Sequence, residues 1–240
     1  MLKTIVRILL FALLTLLTQV GGITFFIGLW LSSYFNFRFK KIVSVFGMYI
    51  LFTFLIVPLV APLFGRVRIK TTDKLKPTSY LTVLLNRNYV KPVLSNTLLN
   101  IASAVPNHIE VRYLDANFPF IDKFPLLPHL SHNDGKKIDL SFVYMTADGK
   151  ATNLKPSRSG YGVFEEPKAS EFNQTEVCLN SGYWHYDYPK YLTFGISNEE
   201  LAFSSTGTKS LIKAVLTQQN VSKVFIEKHL KDRMSLLDKR

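Results

Sequence analysis

The stretch IVSVFGMYILFTFLIVPLVAPLF, Ile42 to Phe64, decides the architecture of this chain. It is free of charge, carries Pro58 and Pro62, and is long enough to cross the ~30 Å hydrocarbon layer as a helix, for which about 20 apolar residues suffice. A second run precedes it, Ile5 to Leu31, broken only by Arg7, Gln19 and the Gly21-Gly22 pair. Between the two lies the polar turn Asn36-Phe-Arg-Phe-Lys-Lys41. Backbone inside lipid must satisfy its own hydrogen bonds, so the pattern predicts a transmembrane helical hairpin over residues 1–65, with spans at 5–31 and 42–64. The first run is too long for the apolar region of a signal peptide, and no A-x-A-like cleavage site follows it.

Charge follows the same division. All 17 Asp and Glu residues lie after Gly65, and only Lys3, Arg7, Arg38, Lys40 and Lys41 precede it. The remainder holds 24 basic and 17 acidic residues, a formal +7 of the total +12. That surplus suits an anionic polymer by long-range attraction. No aromatic–basic motif of a nucleic-acid reader accompanies it, so no nucleic-acid partner is expected. The single Cys178 excludes an intrachain disulfide framework and a cysteine-based zinc ribbon.

Residues 66–78, rich in Lys and Arg, read as a basic solvated linker beside the headgroups. Residues 79–240 read as one folded domain. Val93, Leu94, Leu98, Leu99, Ala102 and Val105 recur at helical spacing before Pro106. His108–Tyr113 and Ile138–Tyr144 alternate as strands, the second followed by an Ala147-Asp148-Gly149 turn. Ser210–Val221 predicts a helix, Val224–Ile226 a short buried strand, and residues 227–237 a last helix. Helices and strands mix without a βαβ rhythm, which gives an α+β class: two N-terminal transmembrane helices followed by a mixed antiparallel-sheet-and-helix domain.

One segment carries chemistry: Phe118-Pro-Phe-Ile-Asp-Lys-Phe-Pro-Leu-Leu-Pro-His129-Leu-Ser-His132-Asn-Asp-Gly135-Lys-Lys-Ile-Asp139. Its prolines and Gly135 predict a constrained loop over residues 119–137 that runs into a strand. With Ile138, Leu140 and Phe142 turned to the core, Asp139 points to the other face. Gly135 permits the reversal that brings His132 over Asp139. An imidazole and a carboxylate so held are suitable Zn²⁺ ligands, and His129 or Asp134 could orient them from the outer shell. The same spacing also suits a hydrogen-bonded loop without metal. His185, within Gly182-Tyr-Trp-His-Tyr-Asp-Tyr188, has an aromatic setting that suits a binding rim or a surface loop. His229 reads as a helix-start residue, and His108 as the beginning of a strand.

The run His129-x-x-His132-x-x-Gly135-x-x-x-Asp139 resembles the H-x-x-H-x-x-G-x-x-x-D motif of the penicillin-insensitive murein endopeptidases, zinc peptidases related to the D-alanyl-D-alanine carboxypeptidases. Leu130 stands where many of the wider group carry serine. The resemblance covers residues 79–240 loosely and 128–142 closely. It implies that His132 and Asp139 bind zinc, that His129 lies in the same site, and that the substrate is the peptide cross-link of bacterial peptidoglycan. It also implies a third ligand and a catalytic histidine from a late H-x-H strand, and no H-x-H occurs in these 240 residues. Three expectations follow: a C-terminally incomplete domain, a substitute histidine such as His185, or a catalytically inactive module that binds wall peptide or a protein partner. Wall substrate implies the bacterial cytoplasmic membrane with the domain on the periplasmic face. Arg38, Lys40 and Lys41 in the short loop agree with that side. Lys3, Arg7, Arg66, Arg68, Lys70, Lys74 and Lys76 argue for the opposite one.

Overall fold

The computed structural model describes residues 1–162, 165–184 and 188–236. The class is α+β, with helices and small sheets mixed along the chain. Two compact units emerge. The first comprises Met1–Lys70, Tyr80–Ser95 and Asp115–Asp139, and the second Thr71–Ser79, Asn96–Leu114 and Leu140–Arg240. The apolar N-terminus therefore shares a unit with the histidine loop.

The first apolar run is not one helix. It forms α1, Leu2–Thr18, and α2, Gly21–Leu31, with the chain reversing at Gln19, whose φ is +64°. The glycine pair explains how α2 doubles back on α1. A Cβ on Gly22 would sit 2.7 Å from the Phe11 carbonyl oxygen, and one on Gly21 would sit 2.7 Å from that of Leu14. The rings of Phe11 and Phe26 meet at 5.4 Å. At 1.5 Å per residue α2 is only about 17 Å long, too short to span. Among the described residues one helix, Lys40–Phe64 (α3), is long and apolar enough to cross a membrane, so the span expected over 5–31 is replaced by a helix–turn–helix. Only 17% of the most apolar window of α3 is buried, whereas a core helix of a soluble protein is mostly buried. Gly28 of α2 lies against Val45 of α3, where a Cβ would fall 2.5 Å from the Val45 Cα. Such small-residue contact is how apolar helices pack without a hydrophobic driving force. A π turn at Phe52–Ile56 precedes Pro58, whose ring would otherwise strike the Phe54 carbonyl.

After Gly65, in the left-handed conformation that ends α3, the chain enters β1, Val67–Arg68. Further on come β2, Leu75–Pro77, and the short helix α4, Tyr80–Leu84. Strand β1 pairs antiparallel with β3, Tyr89–Val90, in register Val67↔Val90 and Arg68↔Tyr89. The segment expected to be a solvated linker is thus built into sheets: Arg66 and Ile69 are buried, and β2 carries Leu75 and Pro77 inward. Val20, Val57, Ala61 and Tyr89 form a core of the first unit, with Tyr49 and Phe120 packed against it. Phe120 is held there by its backbone N–H, which donates to Gln19 Oε1 at 3.0 Å. Gln19→Leu removes an acceptor that is 7% exposed, and is expected to cost about 1 kcal/mol, read as a lower midpoint in thermal unfolding.

Helix α5, Pro92–Ala104, follows closely the helical spacing seen in the sequence. In the second unit, β2 runs parallel to β4, Val111–Tyr113. The hairpin β5, Tyr144–Met145, and β6, Ala151–Thr152, turns at Gly149, whose N–H donates to the Thr146 carbonyl. Beyond helix α6, Gln174–Asn180, strand β7, Ala202–Phe203, pairs with β5. Helix α7, Ser205–Leu216, is capped by Ser204, whose hydroxyl accepts from Gly207 N–H at 3.1 Å. Helix α8, Lys228–Arg233, closes a core of Phe203, Ile212, Leu230 and Met234.

Two strand expectations fail. Residues 138–142 make only a bridge from Leu140 to Tyr113, and Ser141 and Val143 are buried while Phe142 is exposed, the reverse of the expected alternation. Val224–Ile226 is not a strand, and Phe225 is 90% exposed.

Candidate metal centre

The site is shaped by three consecutive residues, Asp115–Asn117, which follow β4 in sequence. Their backbone and side chains hold the histidine loop at successive points. The Asp115 carbonyl accepts from the Asp139 N–H at 2.9 Å. The Ala116 carbonyl lies 2.9 Å from His132 Nδ1. Asn117, fully buried, accepts from the Gly135 N–H at 2.9 Å and donates to the Lys137 carbonyl at 2.8 Å. Asn117 also exchanges backbone hydrogen bonds with Tyr89, which fixes the template to β3.

Gly135 has φ +75°, a conformation favourable only without a Cβ. Its carbonyl accepts from Lys91 N–H at 2.8 Å. The reversal read from the sequence is therefore present, and it brings His132 back over Asp139. His132 Nε2 stands 3.2 Å from Asp139 Oδ1, and His129 Nδ1 stands 3.5 Å from Asp139 Oδ2. The imidazole rings of His129 and His132 are 5.5 Å apart, centre to centre. On its other edge His129 faces Asp115, Nε2 to Oδ2, at 3.9 Å. Arg87 pairs with Asp115 at 3.0 Å and donates to the Leu127 carbonyl at 2.8 Å.

The electrostatics separate the two histidines. Burial pulls the His132 pKa down, but its hydrogen bond to Asp139, the charges of Asp139 and Asp115, and the Ala116 carbonyl together raise it above the ordinary histidine value. Burial dominates for His129, helped by the nearby His132 and Arg87, and outweighs Asp139, so its pKa is lowered. His129 therefore gives up its proton more readily than His132.

With Nδ1–H donated to the Ala116 carbonyl, His132 turns Nε2 to Asp139 and donates its proton there; loss of that proton would leave the Nε2 lone pair free for a cation, as in a metal-bound histidine that a backbone carbonyl orients. His132 Nε2 and Asp139 Oδ1 are the two atoms that could share a cation, and His129 borders the second carboxylate oxygen. Among the described residues, no group of three or more His, Cys, Asp and Glu is arranged to hold a metal by itself.

The other candidates lie elsewhere. Asp134 pairs with Lys137 at 2.7 Å and accepts from the Lys136 N–H; against the pull of partial burial, these hold its carboxyl below the usual range, and it shapes the turn. His108 is exposed. His229, on the first turn of α8, is buried with Nε2 3.0 Å from the Glu165 carbonyl and Nδ1 3.3 Å from Glu227, as a helix-start residue would be. His185 lies outside the described residues. Sequence reading passed over Arg87, Asp115, Ala116 and Asn117. The only signal was a polar pair, Asp115 and Asn117, placed directly after an apolar strand. No protein-family model, curated protein or solved structure matches this chain.

Proposed function

We propose that the chain is a membrane-anchored, zinc-dependent peptidase-like protein that acts on the peptide cross-links of bacterial cell wall. The observation that carries this reading is the approach of His132 Nε2 to Asp139 Oδ1, with His132 Nδ1 tied to a backbone carbonyl. Two donors bound at about 2.1 Å to one tetrahedral Zn²⁺ lie about 3.4 Å apart, close to the 3.2 Å found here. Such an ion would supply a water acidified to near pH 7 and a Lewis acid for the scissile carbonyl. Asp139 offers the anionic oxygen, and His132 offers a neutral nitrogen once deprotonated. His129, with its lowered pKa, sits against the same carboxylate, where it can accept or return a proton. The H-x-x-H-x-x-G-x-x-x-D resemblance supplies the substrate class, and that class places the folded parts on the periplasmic face. The exposed apolar sides of α1, α2 and α3 support the membrane anchor.

Two protein donors hold zinc loosely and leave it extra waters, so these 240 residues are expected to bind zinc weakly and to turn over slowly. The alternative is an inactive tethered module that binds wall peptide. Incubating the zinc-loaded full chain in lipid nanodiscs with cross-linked muropeptides separates the two. Chelator-sensitive cleavage supports the peptidase. Retention of muropeptide with no cleavage supports the module, and neither result rejects both. A reporter fused after Arg240 that responds in the cytoplasm would reject the periplasmic placement.

Zinc affinity is expected to depend on pH in one direction. His132 must lose its proton to bind, and its raised pKa extends the protonated range upward. Affinity should therefore be flat above that raised value and fall about tenfold per pH unit below it, one proton being displaced per ion. Isothermal titration across pH 5.5 to 8.5 (a range of about three units around the histidine value) reads the slope, and a pH-independent affinity contradicts the assignment of His132.

A further inference from the structure

Arg66 directly follows the glycine that ends α3, and its side chain is 1% exposed, an unusual place for a guanidinium. A buried cation is tolerated only when its donors find acceptors. Nη1 donates to the Phe118 carbonyl at 3.0 Å, and Nη2 pairs with Asp122, whose carboxylate is itself 62% exposed. The remaining face lies on Gly135: a Cβ there would stand 2.7 Å from Nε and 2.9 Å from Cδ and Cζ. Phe118 directly follows Asn117 in the template that holds the histidine loop, and Gly135 is the reversal between His132 and Asp139. One side chain at the end of the apolar helix therefore touches both halves of the arrangement. The charge and length of arginine account for its presence, since it must reach a carbonyl and a solvated carboxylate while lying flat on a glycine.

We propose that Arg66 is a positioning residue for the His132–Asp139 pair, and that the end of α3 is thereby a structural part of the site rather than a detachable anchor. The role rests on the reading of His132 and Asp139 as cation donors. It accounts for the glycine in this motif twice over, through the positive φ of Gly135 and through the guanidinium packed where a methyl group would be.

The test uses the full chain in nanodiscs, the variants Arg66→Met, Arg66→Lys, Gly135→Ala and Arg66→Ala with Gly135→Ala, and two readouts. The first is amide hydrogen exchange without metal. Arg66→Met should speed exchange at Gly135 and Asp139 by about tenfold or more while amides of α7, in the other unit, keep their protection. The second is zinc affinity, expected to weaken about tenfold in the same variant. Arg66→Lys keeps the charge but cannot serve both acceptors, and should fall between. Gly135→Ala should weaken zinc binding at least about threefold less beside Arg66→Ala than in the wild-type background, since the guanidinium it strikes is gone. Unchanged exchange at Gly135 and Asp139 in Arg66→Met overturns the proposal, as does equal cost of Gly135→Ala in both backgrounds. Should Arg66→Met lose α7 protection too, Arg66→Lys and the Gly135→Ala comparison decide it. A wild-type chain that binds no zinc defeats the cation reading instead, and the exchange arm still reports on Arg66.

Discussion

Replacing Asn117 with alanine is expected to destabilise the protein by about 2–5 kcal/mol and to abolish metal binding with it. The side chain is fully buried and serves two backbone groups, the Gly135 N–H and the Lys137 carbonyl. Alanine leaves the Gly135 N–H without a partner where it is buried and the Lys137 carbonyl without one where it is part-buried; an orphaned buried group costs about 1–3 kcal/mol and a part-buried one less. The loss would fall on the segment between His132 and Asp139, so the two donors should separate as well. Chemical denaturation of the detergent-solubilised chain reads the stability, and zinc titration of the same sample reads the site. Asn117→Asp is the informative companion. Its carboxylate can still accept from Gly135 but has no donor for Lys137, so about half of the loss should return. A variant as stable as wild type would mean that the loop holds its shape without the template.

The second large effect is expected at Asp139. Asp139→Ala should reduce zinc affinity by at least about 100-fold, because it removes one of two protein ligands and leaves a single imidazole. It should also lower the His132 pKa, since Asp139 supplies both the hydrogen bond and the nearest charge that raise it. With that carboxylate gone, burial, already the largest single influence, is less opposed and disfavours the imidazolium. Histidine ring NMR shifts recorded against pH follow His132 without metal present. A fall in its midpoint in Asp139→Ala, together with lost zinc binding, ties both properties to one contact. An unmoved midpoint would show that the 3.2 Å approach does not persist in solution.

Much of this site was legible in the sequence, and the reasons differ by residue. The approach of His132 to Asp139 around Gly135 was readable because it is local: seven positions and one reversal suffice. The helix over Pro92–Ala104 was readable because a 3.6-residue period recurs over several turns. The alternation at 138–142 misled. The amide of Asp139 is taken by the Asp115 carbonyl and that of Ser141 by the Arg112 carbonyl, so the segment is placed by single bonds rather than by a ladder. Asn117 and Arg66 were not readable as parts of the site. Their partners lie 18–20 and 52–69 positions away, and nothing in the surrounding residues distinguishes a buried asparagine from a loop asparagine, or a buried arginine from a juxtamembrane one. The first apolar run was misread as a single span because composition counts residues and not direction. Gln19, with its positive φ, and two glycines that admit close contact turn one stretch into two short antiparallel helices.

Zinc K-edge X-ray absorption on the full chain, loaded with one equivalent of zinc in nanodiscs, tests the central claim most directly. The account predicts a first shell of nitrogen and oxygen near 2.0–2.1 Å, no sulfur, and imidazole multiple scattering that weakens in His132→Ala. A shell of water oxygens alone, or a spectrum indifferent to loss of both His132 and Asp139, would contradict it.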